Sequence, residues 1–245
     1  MIAADGAPRP AFELIDLLLR DRRAMLARLR DGADLAAVLR TMIATIAIAM
    51  AIVGAALGSY RGGIQIAYAA IKLPIVLLGT AALSAPALSA IGAALGRPSR
   101  LAADLALVMA ALAFSALLLA ACTPLILLAR AIDLDYHRTI LATVAMFALA
   151  GGAALHLICR GVALEAEAGW RTAVAGMCVV FSLVGGQLAW ALRPYLVRPR
   201  TPEPMFVRDV EGSLLDAIAG ASRSARGIYD RDAAPLPTRW QESAP

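Results

Sequence analysis

The sequence contains few of the residues on which catalysis, metal binding or disulfide formation usually depends. Cysteine occurs 3 times and histidine 2 times in 245 residues, and Lys72 is the only lysine. Cys122, Cys159 and Cys178 are an odd number, lie far apart and show no Cys-x-x-Cys spacing, which argues against a disulfide framework or a zinc site. We therefore predict no metal ion or other cofactor, and we interpret the cysteines as small apolar side chains.

Charged and aromatic residues are also scarce, at 17% and 5% of the chain, whereas hydrophobic residues make up 60%. A soluble domain has about 25% charged and about 45–50% apolar residues. The excess of Ala, Leu, Ile and Val is concentrated in runs that reach the roughly 20 residues needed to cross a bilayer. The composition therefore predicts an all-α integral membrane protein, a bundle of about five transmembrane helices.

The N-terminal segment differs from these runs because its apolar residues alternate with charged ones. Residues 11–31 place Ile15, Leu18 and Met25 on one side of a helix, with Arg20 and Arg23 among the charged residues on the other. Such a helix can lie in the headgroup plane of a membrane. Alternatively, it packs on the loops of the protein itself, and the sequence does not decide between these two interpretations.

We predict five membrane-spanning helices, over residues 37–57, 73–95, 101–128, 139–159 and 172–192. The second apolar run is too long for one span, and Lys72 and Pro74 are predicted to divide it into a short interfacial helix, 64–71, and the span itself. Pro86 is expected to kink that span and Pro124 to bend the third. A re-entrant hairpin in the second run is the alternative, and it would change the number of crossings.

Small residues recur every four positions in three of these spans, which predicts close helix packing. The pairs are Gly54 and Gly58 in the first span, Ala106 and Ala110 in the third, and Ala148 and Gly152 in the fourth.

Charge divides the chain into three regions: an amphipathic N-terminal segment (1–35), the helical bundle (36–195) and a basic, Pro-rich soluble tail (196–245). Basic residues favour the cytoplasmic side of a membrane. In a five-span arrangement the 23 basic residues divide almost equally between the two sides, so they do not orient the chain. Two basic ends would suit an even number, and four or six spans are the alternatives.

The polar residues that fall near the ends of spans are candidates for a lipid-headgroup or partner-docking site. The loop after the third span would emerge on the side of Lys72, which would bring together Lys72, Arg130, Asp133, Asp135, Arg138 and Arg193. Gln187, Trp190 and Arg193 are three apart and form a stripe at the end of the fifth span. The alternative is ordinary interfacial anchoring and loop salt bridges, which contribute little.

A second set of residues would line a polar site if the protein were a small transporter or channel. These are Lys72, Pro74, Pro86 and Asp104, of which Lys72 and Asp104 are expected at opposite ends of antiparallel helices. Asp104 falls in the first turn of its helix, where the helix dipole by itself favours a carboxylate.

Several short segments are similar to those of a known family. They are Lys72-Leu-Pro74, Gly186-Gln-Leu-Ala-Trp190, Leu192-Arg-Pro-Tyr195, Phe206-Val-Arg208 and Gly212-Ser213. Together they resemble a family of uncharacterised bacterial integral membrane proteins, some loosely labelled Yip1-like. The resemblance implies a multi-pass helical fold in the bacterial cytoplasmic membrane and a role in a larger complex, and it implies no activity, ligand or catalytic residue.

No phosphate-binding loop, nucleophile elbow or His-Glu-x-x-His motif occurs in the sequence. We therefore expect a protein that is not an enzyme and that acts as a scaffold or accessory subunit of a membrane complex. The expected partners are membrane lipids and other membrane subunits or a second copy of the chain, and not nucleic acid. The small transporter or channel is the alternative hypothesis.

Overall fold

The structure is a computed structural model that describes residues 11–94, 101–132, 136–163, 170–192 and 206. The described residues all belong to the first of two units into which the chain divides, residues 1–208. The described part of the chain is helical and contains no strand, which confirms the predicted all-α fold. Its helices are α1 (Ala11–Arg20), α2 (Arg22–Asp31), α3 (Leu35–Gly58), α4 (Gln65–Ala94), α5 (Leu101–Ala121), α6 (Thr123–Ala131), α7 (Tyr136–Ala163) and α8 (Trp170–Leu192).

The five long helices pack in the order α7, α5, α3, α4 and α8, with α3 in the middle. α3 contacts both α4 and α5, while α8 packs against α4 and α7 packs against α5. α7 and α8, the two ends of the row, touch each other only sparsely. Large apolar side chains on the outside, among them Ile48, Leu83 and Leu149, are more than half exposed. An apolar outer surface of this kind is suited to lipid rather than to water.

Two glycines allow α3 and α4 to approach backbone to backbone. A Cβ atom on Gly54 would lie 2.8 Å from the Cα atom of Ala70, and one on Gly58 would lie 2.7 Å from the Cα atom of Ile66. Backbone atoms cannot move aside as a flexible side chain can, so only glycine fits at these two positions. The predicted small-residue packing of the first span is therefore confirmed.

The second apolar run is one continuous helix, and the predicted division at Lys72 and Pro74 is wrong. α4 extends from Gln65 to Ala94 and contains both Pro74 and Pro86. Pro lacks an amide hydrogen and normally interrupts a helix. Packing supplies the physical reason for continuity here: the first turns of α4 lie against the glycines of α3, and Lys72 and Leu73, the two residues before Pro74, are buried.

The third apolar run breaks close to where Pro124 predicts a bend. α5 ends at Ala121, and α6 begins at Thr123 with Pro124 in its first turn. Ala106 and Ala110 of α5 are fully buried, which confirms the predicted close packing of this span. α5 is buried over most of its surface because α2, α3 and α7 all pack against it.

The N-terminal segment forms two helices rather than the single predicted one, and it packs on the protein itself. Asp21 separates them and accepts a 3.0 Å hydrogen bond from the backbone amide of Ala24, an N-cap that starts α2. Leu14 and Leu18 of α1 are fully buried, and α1 contacts both α3 and α5. The apolar face is therefore turned toward the bundle helices. The segment packs on the protein itself, as the second interpretation expected, but on α3 and α5 rather than on loops.

A salt bridge and a cation–π contact fix this N-terminal pair of helices to the bundle. Arg28 of α2 donates a 2.9 Å hydrogen bond to the carboxylate of Asp34, the residue before α3. The guanidinium of Arg22 lies 4.8 Å from the ring centroid of Phe114. At 1.5 Å per residue, Phe114 is about 20 Å along α5 from its first residue. α2 consequently runs beside about the first two thirds of α5.

Among the described residues, four segments are long and apolar enough to cross a membrane: Leu35–Gly58, Gln65–Ile91, Leu101–Ala131 and Ala142–Ala163. The apolar section of α8, Val174–Ala189, is shorter. It measures about 24 Å, less than the roughly 30 Å of a bilayer core. The fold is that of a multi-pass membrane protein, and the fifth crossing by α8 stays a prediction.

Candidate functional site

A cavity of about 330 Å³ lies between the long helices, near the middle of each. α5, α7 and α8 provide most of its walls, and Met50 of α3 and Leu77 of α4 close it from behind. Leu112 and Leu119 of α5 and Met177 of α8 line it and are buried. The cavity exists because α7 and α8, the two ends of the row of helices, touch each other only sparsely.

The cavity opens between α7 and α8. Three of its lining residues are exposed, namely Gly151 and Leu155 on α7 and Ser182 on α8. The lining residues contributed by α3, α4 and α5 are buried or half-buried. The mouth therefore faces outward through the α7–α8 gap, on the surface that a bilayer would surround.

The walls of this cavity offer little to a polar ligand. Ser115, Ser182 and Cys178 are the lining residues that carry a hydroxyl or thiol, and the others are apolar. No group of three or more His, Cys, Asp or Glu side chains that could hold a metal ion occurs in the part of the chain that the structure describes. The arrangement is suited to an apolar ligand.

Lys72 lies in a different place, on α4 where Phe206 packs against it. Its ammonium is 5.1 Å from the ring centroid of Phe206 and 5.8 Å from that of Tyr68. The two rings meet edge to face, with centroids 5.2 Å apart. A cation over aromatic faces within about 6 Å is an attractive arrangement. Lys72 is 4% exposed, so the rings and the helix cover it.

The other predicted docking residues are spread over several elements. Arg130, near the end of α6, and Gln187, on α8, are both exposed. Arg138 and Trp190 lie on α7 and α8, but their side chains are not among those described. Asp133, Asp135 and Arg193 lie outside the described residues. The structure thus brings Lys72 together with Tyr68 and Phe206, and the predicted docking cluster stays a prediction.

The residues proposed for a polar transport site do not line the central cavity. Pro74 is half-buried and Pro86 is exposed. Asp104 is in the first turn of α5, as predicted, and lines a separate cavity of about 10 Å³ together with Arg30 of α2. That volume is at the lower limit for one water molecule. Lys72 and Asp104 lie toward opposite ends of α3, as the antiparallel helices predict.

One face of α7 has small residues that no other described helix covers. Ala148, Gly152 and His156 follow one another every four residues and are all exposed. A Cβ atom on Gly152 would meet no atom within 4 Å. The expected close packing of the fourth span is therefore not made within the described bundle at this face.

Comparison with protein-family models, with curated proteins and with solved structures gives no match to this chain. The Yip1-like resemblance stays a prediction that rests on the short segments alone. Sequence reasoning missed the central cavity and the partners of Lys72. The adjacent Gly151 and Gly152 were a usable signal for the cavity, and the aromatic residues Tyr68 and Phe206 were usable signals for the lysine site.

Proposed function

We propose that the protein is a non-enzymatic scaffold or accessory subunit of a complex in the bacterial cytoplasmic membrane. The observation that carries the proposal is the uncovered face of α7, formed by Ala148, Gly152 and His156. Small residues four apart allow the backbone of a second helix to come close in lipid, where no hydrophobic effect drives helices together. Ala148 and Gly152 have this spacing, and no described helix packs against them.

His156 adds a polar reason for a partner helix. It lies seven residues before the end of the candidate span Ala142–Ala163, about 10 Å from that end. Ionisable residues within membrane spans usually face protein or a water-filled cavity rather than lipid. A histidine side chain can hydrogen-bond across a helix–helix contact, which would give the partner a fixed register.

The basic ends of the chain support the same proposal. Arg22, Arg23 and Arg30 of α2 are exposed beside the bundle and offer charge for contacts with anionic lipids or acidic protein partners. The partner proposed here is another membrane helix, from a different subunit or from a second copy of the chain. The residues assigned to the transporter alternative, Lys72, Pro74, Pro86 and Asp104, do not line the central cavity, so that cavity does not support it.

Site-specific photocrosslinking in native membranes tests the proposal. Ala148→p-benzoylphenylalanine is expected to give a discrete protein adduct on irradiation. The same replacement at Ile48, an exposed apolar position on α3, is expected to give none. Gly152→Leu should abolish the Ala148 adduct, because a leucine would hold the partner backbone away.

The Gly151→Leu variant is the matched control, since Gly151 is also open but lines the cavity. It should leave the adduct unchanged. The proposal is wrong if position 148 gives no protein adduct in native membranes, or if the adduct survives Gly152→Leu.

A further inference from the structure

The depth, the lining and the mouth of the central cavity indicate which kind of ligand it can hold. It lies near the middle of the long helices and is lined almost wholly by apolar side chains. Volumes of about 300–1,000 Å³ are typical of small-molecule sites, and the 330 Å³ of this cavity is at the low end. We propose that it binds a single hydrocarbon chain of a membrane lipid, which enters between α7 and α8.

Water is a poor occupant of this cavity. A buried water molecule needs two to four polar partners, whereas apolar cavities of about 150 Å³ stay dry and take up apolar molecules. Ser115, Ser182 and Cys178 supply few polar atoms for a space of this size.

A partner helix is also too large to enter. An α-helix with its side chains is about 10–12 Å across. The cavity is bounded at the back by Met50 and Leu77 and at the sides by buried residues of α5 and α8. A volume of about 330 Å³ behind Gly151, Leu155 and Ser182 suits a slender apolar group, and an acyl or isoprenoid chain has that shape.

The position of the exposed mouth indicates that the hydrocarbon chain would come from the surrounding bilayer. The residues around it lie near the middle of α7 and α8, at the depth where a bilayer supplies hydrocarbon tails. Gly151 has no side chain, and a Cβ atom placed there would meet nothing within 4 Å. A glycine at this position keeps the mouth open.

A photoreactive lipid tests the proposal on the full-length chain in lipid nanodiscs. The probe is a phosphatidylcholine with a diazirine in the middle of one acyl chain, and adducts are mapped by mass spectrometry. Lipid around the protein will label Ile48, which is exposed on α3 and reports on annular contact alone. A chain inside the cavity will also label Met177 and Leu119, which are each 4% exposed and which annular lipid cannot reach.

Two leucine variants distinguish lipid labelling inside the cavity from lipid labelling of the outer surface. Gly151→Leu should fill the mouth and lower labelling of Met177 and Leu119 at least about fivefold, with Ile48 unchanged. Gly152→Leu adds the same side chain to the next position, which does not line the cavity, and should leave both signals as they are. If Gly151→Leu does not elute as a single species, Ser182→Leu on the opposite side of the mouth takes its place.

The proposal is overturned if the wild-type chain is labelled at Ile48 and not at Met177 or Leu119. Equal labelling of the buried residues in both glycine variants would also overturn it. None of these outcomes depends on whether Ala148 crosslinks to a partner.

Discussion

Two pairs of glycines show how differently the same residue acts on the two sides of this bundle. Gly54 and Gly58 in α3 lie against the backbone of α4, where a Cβ atom would overlap it. Gly151 and Gly152 in α7 meet nothing within 4 Å. Positions four apart lie on one helix face, whereas adjacent positions point in different directions. The first pair therefore makes one contact surface, and the second opens both a cavity and an outer face.

The comparison teaches that small residues do not by themselves decide what a membrane helix does with them, because what lies opposite differs: Gly54 and Gly58 face the backbone of α4, whereas Gly152 faces no atom within 4 Å. The α3–α4 side forms a rigid contact that fixes the bundle. The α7–α8 side, built from the same Ala, Leu and Gly residues, remains open. Substitutions of the glycines test the α3–α4 and α7–α8 sides directly. Substitutions in α1 and at Phe206 test whether the tight packing of the α3–α4 side extends to these neighbouring residues.

The largest effect is expected from Gly54→Val. Its Cβ atom would overlap the backbone at Ala69 and Ala70, which cannot move without separating the two helices. We expect a loss of about 3 kcal/mol in the free energy of unfolding, at the upper end of what overpacking usually costs. Unfolding in mixed detergent micelles, followed by circular dichroism, measures it. Gly152→Val is the control, and an equal loss in both variants would remove the distinction between the two sides.

The second prediction asks whether the tight side includes the N-terminal helices. Leu18 is fully buried and Leu19 is 42% exposed, although they are neighbours in α1. Leu18→Ala should destabilise the docked helices by about 2–3 kcal/mol through the cavity that it leaves. Limited proteolysis within residues 11–34 should then become much faster. The Leu19→Ala variant should be cleaved at nearly the wild-type rate, and equal cleavage of the two variants would contradict the packing.

A smaller effect is expected where Phe206 meets α4. Phe206→Leu removes one of the two rings near the Lys72 ammonium while keeping an apolar side chain. We expect a loss of about 0.5–2 kcal/mol, the range for a cation over a ring. Thermal unfolding in detergent measures it. Lys72→Arg keeps a cation near both rings and should lose less than Lys72→Met, and the reverse order would show that charge is not the source of the attraction.

The smallest effect has the opposite sign. Gly152→Ala places a methyl group in open space on α7 and removes a residue that weakens helix interiors by about 0.5–1 kcal/mol relative to alanine. The isolated protein in detergent should therefore become slightly more stable. Gly58→Ala, made on the tight side, should instead become less stable. The comparison fails if the two substitutions shift the unfolding midpoint in the same direction.

Local sequence determined most of the helices. Apolar runs of sufficient length form helices in lipid because every backbone polar group must be paired within the segment. Local signals act over one or two turns, so the expected end of the first span at residue 57 is one residue from the end of α3, and the break between α5 and α6 falls next to the bend expected at Pro124. Where such a signal competed with packing, at Lys72 and Pro74, local reasoning gave the wrong result.

Tertiary structure alone decided which surfaces meet. The sequence holds small-residue rows in α3, α5 and α7, and nothing local distinguishes the rows that are buried from the one that is left uncovered. The placement of Phe206 beside Lys72, the docking of α1 on α3 and α5, and the cavity behind Gly151 join residues far apart in the chain. Apolar periodicity sets how each helix forms, but contacts between distant segments depend on the shapes of all the helices together.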